Sequence, residues 1–231
     1  MSDLINTLKK DTHYIEGLSS CMNCGVCTAI CPAAEFYNYD PRKIVDAVQR
    51  DDEQLVKELL FSEEIWYCGE CMSCKTRCPR GNTPGLVIMA LRKLSQEHGA
   101  FVESEKGRQQ YAIKKVIDTN ILERGYCLTP DLVVPENHPE QGPMWKWVYS
   151  NMEDVYDRVS ANLGKPGSGV LRKIDDESLH ELHSIFEVTG AMDFINQIQQ
   201  FSEAKAKEDG MDMDTYFNTV YSENNGTHSG N

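Results

Sequence analysis

Eight of the nine cysteines fall in two runs of one pattern, CMNCGVCTAICP from Cys21 and CGECMSCKTRCP from Cys68. Each reads C-x2-C-x2-C-x3-C-P. Three thiolates at i, i+3 and i+6 face one side of a tight loop or helical turn, where they can grip three corners of a cube. The fourth cysteine, followed by proline, starts a new direction of chain. In two-cluster ferredoxins with this spacing the fourth cysteine serves the other cluster. On that pattern Cys21, Cys24, Cys27 and Cys78 hold one [4Fe–4S] cluster, and Cys68, Cys71, Cys74 and Cys31 hold a second. Each motif then completes its neighbour's site. The doubling sets two one-electron centres side by side.

Other uses of the octet fit less well. Four zinc ligands need only two C-x2-C pairs and have no use for a third cysteine at the same spacing. A disulfide between cysteines three apart on a helical turn is strained. Gly25 and Gly69 suit a backbone that must wrap closely round a cluster. Lys75, Arg77 and Arg80 either offset the negative charge of a thiolate-ligated cluster or are solvated surface charges. No paired carboxylates, nucleophile–base set or phosphate-binding glycine loop stands out, so no catalytic residue is assigned.

These sites sit in an ordinary globular composition, 40% hydrophobic and 26% charged over 231 residues. No apolar run approaches the length of a membrane span. The start, MSDLINTLKKDTHY, lacks the basic and apolar regions of a signal peptide. A cytoplasmic setting is therefore expected, where clustered cysteines signify metal more often than disulfides. The net charge of −13 argues against nucleic-acid binding, which normally shows a basic footprint. Residues 1–100 carry −3 of it and residues 101–231 carry −10.

The elements that must position the cysteines read as helices. Asp40 is a candidate N-cap with Pro41 at the first helical position, and Ile44, Val45 and Val48 share one face. DEQLVKELLF repeats the pattern with Leu55, Val56, Leu59 and Leu60. Thr83 and Pro84 open GLVIMALRKLSQEH, which Gly99 ends. A further helix runs through ESEKGRQQYAIKKVIDTNILER to Gly125. Convincing strand alternation is absent, so the fold class is all-α: a helical two-cluster ferredoxin domain over 1–125 with a mainly helical C-terminal extension.

With two such motifs, DPRKIV between them, IWYCGEC at the second, then CPRG and ALRKLSQEHGAF, the chain resembles the C subunits of heterodisulfide reductases over roughly residues 15–105. The cysteine pattern alone is shared by many helical ferredoxin modules; the flanking text is more specific. The resemblance implies a relay between a flavin- and iron–sulfur-containing A subunit and a catalytic B subunit with CCG motifs. It implies no functional residue in this chain beyond the eight ligands. The rear half is most similar to the longer C subunits of heterodisulfide reductase-like complexes of sulfur oxidisers. In those complexes the substrate is sulfur carried on a lipoate-binding protein, which would meet this chain only indirectly.

Residues 126–210 form an acidic extension expected to dock a partner. It begins extended and Pro-punctuated and turns helical near Pro143. Trp145, Trp147, Val148, Met152, Val155 and Tyr156 form an apolar set that either anchors a partner protein or packs internally. GKPGSG reads as a turn or linker. DDESLHELHSIFEVTG and MDFINQIQQFSEAKAKE read as helices. Residues 211–231 read as a flexible tail, or as one that orders only against a partner. Cys127 reads as a buried small apolar residue, both clusters being already ligated. His180 and His183 lack a third ligand and the i, i+4 spacing of zinc proteases.

The function expected is that of an electron-transfer component of a thiol, disulfide or sulfane-sulfur oxidoreductase. It would be cytoplasmic, with any membrane association made through its complex. The alternatives are a free-standing ferredoxin, against which more than 100 additional residues argue, the iron–sulfur component of another dehydrogenase, or a redox-sensing regulator, which the acidic balance opposes.

Overall fold

Aspartates open several helices of this chain. Asp40 accepts from the backbone N–H groups of Arg42 (3.0 Å) and Lys43 (3.3 Å), with Pro41 at the first helical position. Asp52 caps in the same way through Gln54 and Leu55, Asp11 through His13, and Asp175 through Ser178. The computed structural model describes residues 3–222, and among these there is helix but no strand. The chain divides into two compact units after Arg108. The sequence reading places the end of the cluster domain at Gly125 instead, where a helix ends.

The first unit contains α1 (Leu4–Lys10), α2 (Thr12–Gly17), α3 (Val26–Ala29), α4 (Ala33–Phe36), α5 (Pro41–Gln49), α6 (Glu53–Leu60), α7 (Ser73–Arg77) and α8 (Pro84–Glu97). α8 is the central post, packed against α1, α2, α5, α6 and α7. The apolar face expected on α5, Ile44, Val45 and Val48, is fully buried, as are Val56 and Leu60 of α6 and Val87, Ile88 and Leu91 of α8. Each such side chain contributes about 1.5–3 kcal/mol before entropy is counted. Leu55 is the one member of its set left half-buried.

Two fastenings tie the chain entering the first motif to the chain leaving the second. The Asn82 carboxamide accepts from the Ser19 N–H (2.9 Å) and donates to the Ser20 carbonyl (2.8 Å). The Thr83 N–H donates to the Gly17 carbonyl at 2.7 Å. Thr83 stands at the N-cap position of α8 as expected, but its hydroxyl caps nothing and is buried without a hydrogen-bond partner. Its N–H tie to Gly17 and the preset φ of Pro84 start the helix instead.

α9 (Glu105–Ile113) crosses the division between the units. The single helix expected to run to Gly125 is interrupted by a π-helical stretch, Lys114–Asp118, and resumes as α10 (Thr119–Arg124). Gly125 then ends it in the left-handed conformation, φ 76°. The second unit continues with α11 (Pro143–Ser150), α12 (Met152–Arg158), α13 (Asp176–Val188), α14 (Ala191–Glu208) and α15 (Met213–Ser222).

α15 corrects the reading of a flexible tail over residues 213–222. Asp212 accepts from the Thr215 N–H at 2.7 Å, and Tyr216 and Val220, four apart, are buried against Tyr111, Ala112 and Ala206. Polar composition averaged over the tail hides this short amphipathic face. Residues 223–231 lie outside the described residues. Cys127 is a second correction, for it is exposed. The inward positions of that turn are taken by Asn120 and Thr129, which are buried and joined side chain to side chain at 3.3 Å.

Candidate metal centre

The two motifs fold alike. In each, a loop leads into a short helix, α3 or α7, and these two helices pack on each other. The third and fifth residues of each motif have positive φ: Asn23 (59°) and Gly25 (81°) in the first, Glu70 (52°) and Met72 (56°) in the second. Alternating left-handed residues turn successive N–H groups to one side, which is how a backbone cradles negative charge. The Asn23 N–H donates to Cys21 Sγ at 3.3 Å, and the Glu70 N–H does the same for Cys68. Of the two glycines singled out in the sequence, Gly25 serves this turn. Gly69 has no positive φ and open space beside it.

The cysteines line two cavities. One is bounded by Cys21, Cys24, Cys27 and Cys78, with Gly25, Arg42, Val45, Arg80 and Asn82 among its neighbours. The other is bounded by Cys31, Cys68, Cys71 and Cys74, with Cys27 again at its edge and Tyr39, Met72, Gly85 and Ile88 around it. No group of three or more Cys, His, Asp or Glu side chains among the described residues is close enough to hold a metal ion. Cys24 and Cys71, the second cysteine of each motif, are exposed; the other six are half-buried.

Electrostatics follows from placement. Burial pushes the thiols of Cys27, Cys68 and Cys74 up, opposed at Cys68 by the Glu70 N–H and the Arg92 guanidinium and at Cys74 by the Gly85 N–H. Gly85 lies in the first turn of α8, so the positive end of that helix faces Cys74. A Cβ there would stand 3.1 Å from Met72 Sδ and 3.8 Å from Cys74 Sγ. Bonds from the Ser73 hydroxyl and N–H pull Cys71 down.

Two arginines hold the loops, and neither has a sequence motif of its own that marks it. Arg42 donates through Nη1 to Asn23 Oδ1 at 2.7 Å and through Nη2 to Asp40 Oδ2 at 2.8 Å. Arg92 donates to the Glu70 carboxylate and to the Cys68 and Ile65 carbonyls. Arg42 lies in the DPRKIV text that marks the family resemblance, which was its one signal in the sequence. Gln49 at the end of α5 brackets Cys21, accepting from its N–H at 2.9 Å and donating to its carbonyl at 3.1 Å. Of the cations that were singled out, Arg80 lines the first cavity.

A buried tyrosine completes the second cavity. Tyr39 is 4% exposed, and its hydroxyl has no hydrogen-bond partner of good geometry. Burial first, and the sulfurs of Cys68 and Cys31 after it, push its pKa far above the ordinary range, so the phenol keeps its proton.

Residues 17–82 match the family model described as a 4Fe-4S dicluster domain. The chain is 31% identical over 211 residues to the C subunit of the ferredoxin:CoB-CoM heterodisulfide reductase of Methanosarcina acetivorans, a match spanning 90% of this chain and 76% of the relative. It is 29% identical over 114 residues to the iron–sulfur C subunit of the CoB–CoM heterodisulfide reductase of Methanopyrus kandleri, covering 49% of this chain and 57% of the relative. The C subunit of a ferredoxin/F420H2-dependent CoB-CoM heterodisulfide reductase, also of M. acetivorans, is 29% identical over 129 residues, or 55% of this chain and 72% of its own. The first match runs well past the cysteine motifs into the second unit. The chemistry common to the cavities, the family model and these relatives is iron–sulfur electron transfer.

Proposed function

The chain belongs to the family of heterodisulfide reductase C subunits, and on that premise we propose that it relays single electrons through two [4Fe–4S] clusters to or from a CCG-motif catalytic partner. Cys21, Cys24, Cys27 and Cys78 hold one cluster, and Cys68, Cys71, Cys74 and Cys31 the other. The observation that carries this reading is the mixed composition of the two cavities: the first joins Cys21, Cys24 and Cys27 to Cys78 of the other motif, and the second joins Cys68, Cys71 and Cys74 to Cys31, with Cys27 also at its edge.

Bound there, such clusters supply reversible one-electron transfer. The chain's own residues do the rest. The left-handed turns at Asn23, Gly25, Glu70 and Met72 aim N–H groups at the sulfurs, and the helix start at Gly85 faces Cys74. Val45, Ile88 and Tyr39 keep the inner walls dry, while exposed Cys24 and Cys71 bring each cluster's edge to the surface. Because the cavities hold no substrate chemistry of their own, both ends of the relay lie on other proteins. These are the CCG-motif B subunit and a flavin- and iron–sulfur-containing A subunit, acting together on a disulfide, thiol or sulfane sulfur. A lipoate-bound substrate would meet the B subunit rather than this chain. No helix among the described residues is long and apolar enough to cross a membrane, and the cytoplasm is the compartment proposed.

Anaerobic purification of the tagged chain from its own cells tests the reading. About eight irons and eight sulfides per chain are expected, together with copurifying A and B subunits. A chain that elutes alone, or carries about half that iron, refutes it.

A further inference from the structure

Tyr39 is built into the second cavity in a way that the ligand set does not explain. It precedes the N-cap Asp40, and its ring stands edge-on to Tyr67 at 6.1 Å, 85° between planes. Tyr67, the residue before Cys68, is itself stacked on Tyr37 at 4.4 Å. The Tyr39 hydroxyl is buried with no hydrogen-bond partner on the protein, and Tyr39 lines the same cavity as Cys31 and Cys68. A buried hydroxyl without an acceptor is costly and calls for an explanation. The acceptors that the cavity can offer it are sulfurs, since cysteines of both motifs share the lining with Tyr39.

We propose that the Tyr39 hydroxyl donates a hydrogen bond to the Cys68 thiolate, or to a sulfide of the cluster that this thiolate holds, and thereby raises the reduction potential of that cluster alone. The inference rests on the cluster assignment above. The physical reason is that reduction adds one negative charge to the cluster, and a donor at sulfur stabilises the reduced form more than the oxidised one. No proton moves; the electron enters a site whose hydrogen bond is already made. The effect is confined to one centre because the residues bounding the first cavity include Arg42, Arg80 and Asn82 but no tyrosine. Tyr39 is thus a tuning residue that makes two clusters with the same ligands unequal.

The test is a redox titration of the full-length holoprotein followed by low-temperature electron paramagnetic resonance. It compares wild type, Tyr39→Phe, and a protein carrying 3-fluorotyrosine at position 39, a stronger donor of nearly the same size. Tyr39→Phe is expected to shift one cluster's reduction equilibrium roughly tenfold toward the oxidised form, about 59 mV for one electron, and to leave the other cluster in place. Fluorotyrosine is expected to shift the same cluster the opposite way. Clusters present with no shift, both clusters shifting together, or both substitutions shifting in one direction would overturn the proposal. If Tyr39→Phe fails to hold its cluster, the fluorotyrosine protein decides alone: an upward shift supports the hydrogen bond and no shift refutes it. Iron and sulfide analysis of the same samples separates the two levels. Wild-type protein without two clusters sinks the assignment, whereas intact clusters at unchanged potential sink only the role of Tyr39.

Discussion

Arg92 donates through Nη1 to the carboxylate of Glu70, the third residue of the second motif, which sits at φ 52°. Arg42 makes the matching bond to Asn23, the third residue of the first motif, at φ 59°. Left-handed backbone costs a non-glycine residue about 1–2 kcal/mol. In both motifs a guanidinium from a neighbouring helix holds that residue where its N–H meets the first cysteine's sulfur. Two loops of different sequence thus reach one geometry through the same device.

If that device matters, Arg92→Met should weaken the second motif by about 2–3 kcal/mol, the scale of hydrogen bonds to charged groups. The cluster on Cys68, Cys71 and Cys74 should then release iron to a chelator faster, while the first cluster is unaffected. Arg42→Met should do the reverse. Iron-release kinetics, with the spectrum of the surviving cluster, check both. Equal rates in wild type and variant would mean that the loops hold themselves.

Crossed ligation makes a sharper claim. Cys31→Ser should damage the cluster held by the second motif and spare that held by the first, and Cys78→Ser should do the opposite. Alkylation of the cysteines released in each variant, read by mass spectrometry, shows which set has lost its iron. Release confined to the mutated motif's own three cysteines would refute the crossing. Cys127→Ala should leave both clusters intact, since its thiol is exposed in the second unit and lines neither cavity.

What the sequence made legible was local. Cysteine spacing, the Asp40–Pro41 cap, the buried faces of α5 and α6, and the stop at Gly125 all depend on residues a few positions apart. What it hid was made by distant partners. Arg42 reaches back to Asn23 and Arg92 to Glu70, across stretches of chain that no periodicity connects. Tyr39 carries no signal in the sequence, because its meaning comes from lining one cavity with cysteines of both motifs. α15 escaped notice because its face, Tyr216 and Val220, is short and acquires its meaning only against Tyr111 and Ala206. Cys127 was misjudged for a related reason: burial of a lone cysteine depends on which neighbours of its turn face inward.

Acid should expose the role of Asp40. Burial pushes its carboxyl up, but bonds from the Thr28 hydroxyl and from Arg42, with the Arg42 charge, outweigh this and hold it below the usual carboxylate range. A depressed value means stability that is complete above the ordinary 3.8 and is lost as pH falls through the lower folded value. Asp40→Ala should cost about 1 kcal/mol at neutral pH through the lost cap alone, and the loss of the Thr28 and Arg42 bonds adds to it. Below pH 4 the difference from wild type should shrink. Denaturant midpoints measured from neutral pH downward check the sign; a gap that widens in acid contradicts it.

The final prediction concerns what the second unit docks. In α11, Trp145 donates from Nε1 to the Val133 carbonyl at 2.7 Å, and the Tyr149 hydroxyl donates to the Asp131 carbonyl at 3.1 Å. These residues, four apart, bolt the helix to the preceding segment. Met144 and Trp147, three apart, are left 66% and 52% exposed. The apolar set noted in the sequence therefore divides by role, with Trp145 structural and Trp147 open to a partner. Trp147→Ala should leave the clusters and the thermal midpoint unchanged, yet weaken association with the CCG-motif protein by more than about 1 kcal/mol if it is a hot spot. Trp145→Ala should instead lower the stability of the second unit by about 1–3 kcal/mol, since its hydrogen bond and half-buried ring are both lost. A chain cut after Gly125, where the helix ends, should keep both clusters and lose the partner. Binding at full affinity by that shortened chain would assign docking to the cluster unit, and would leave the exposed face of α11 without the role proposed for it.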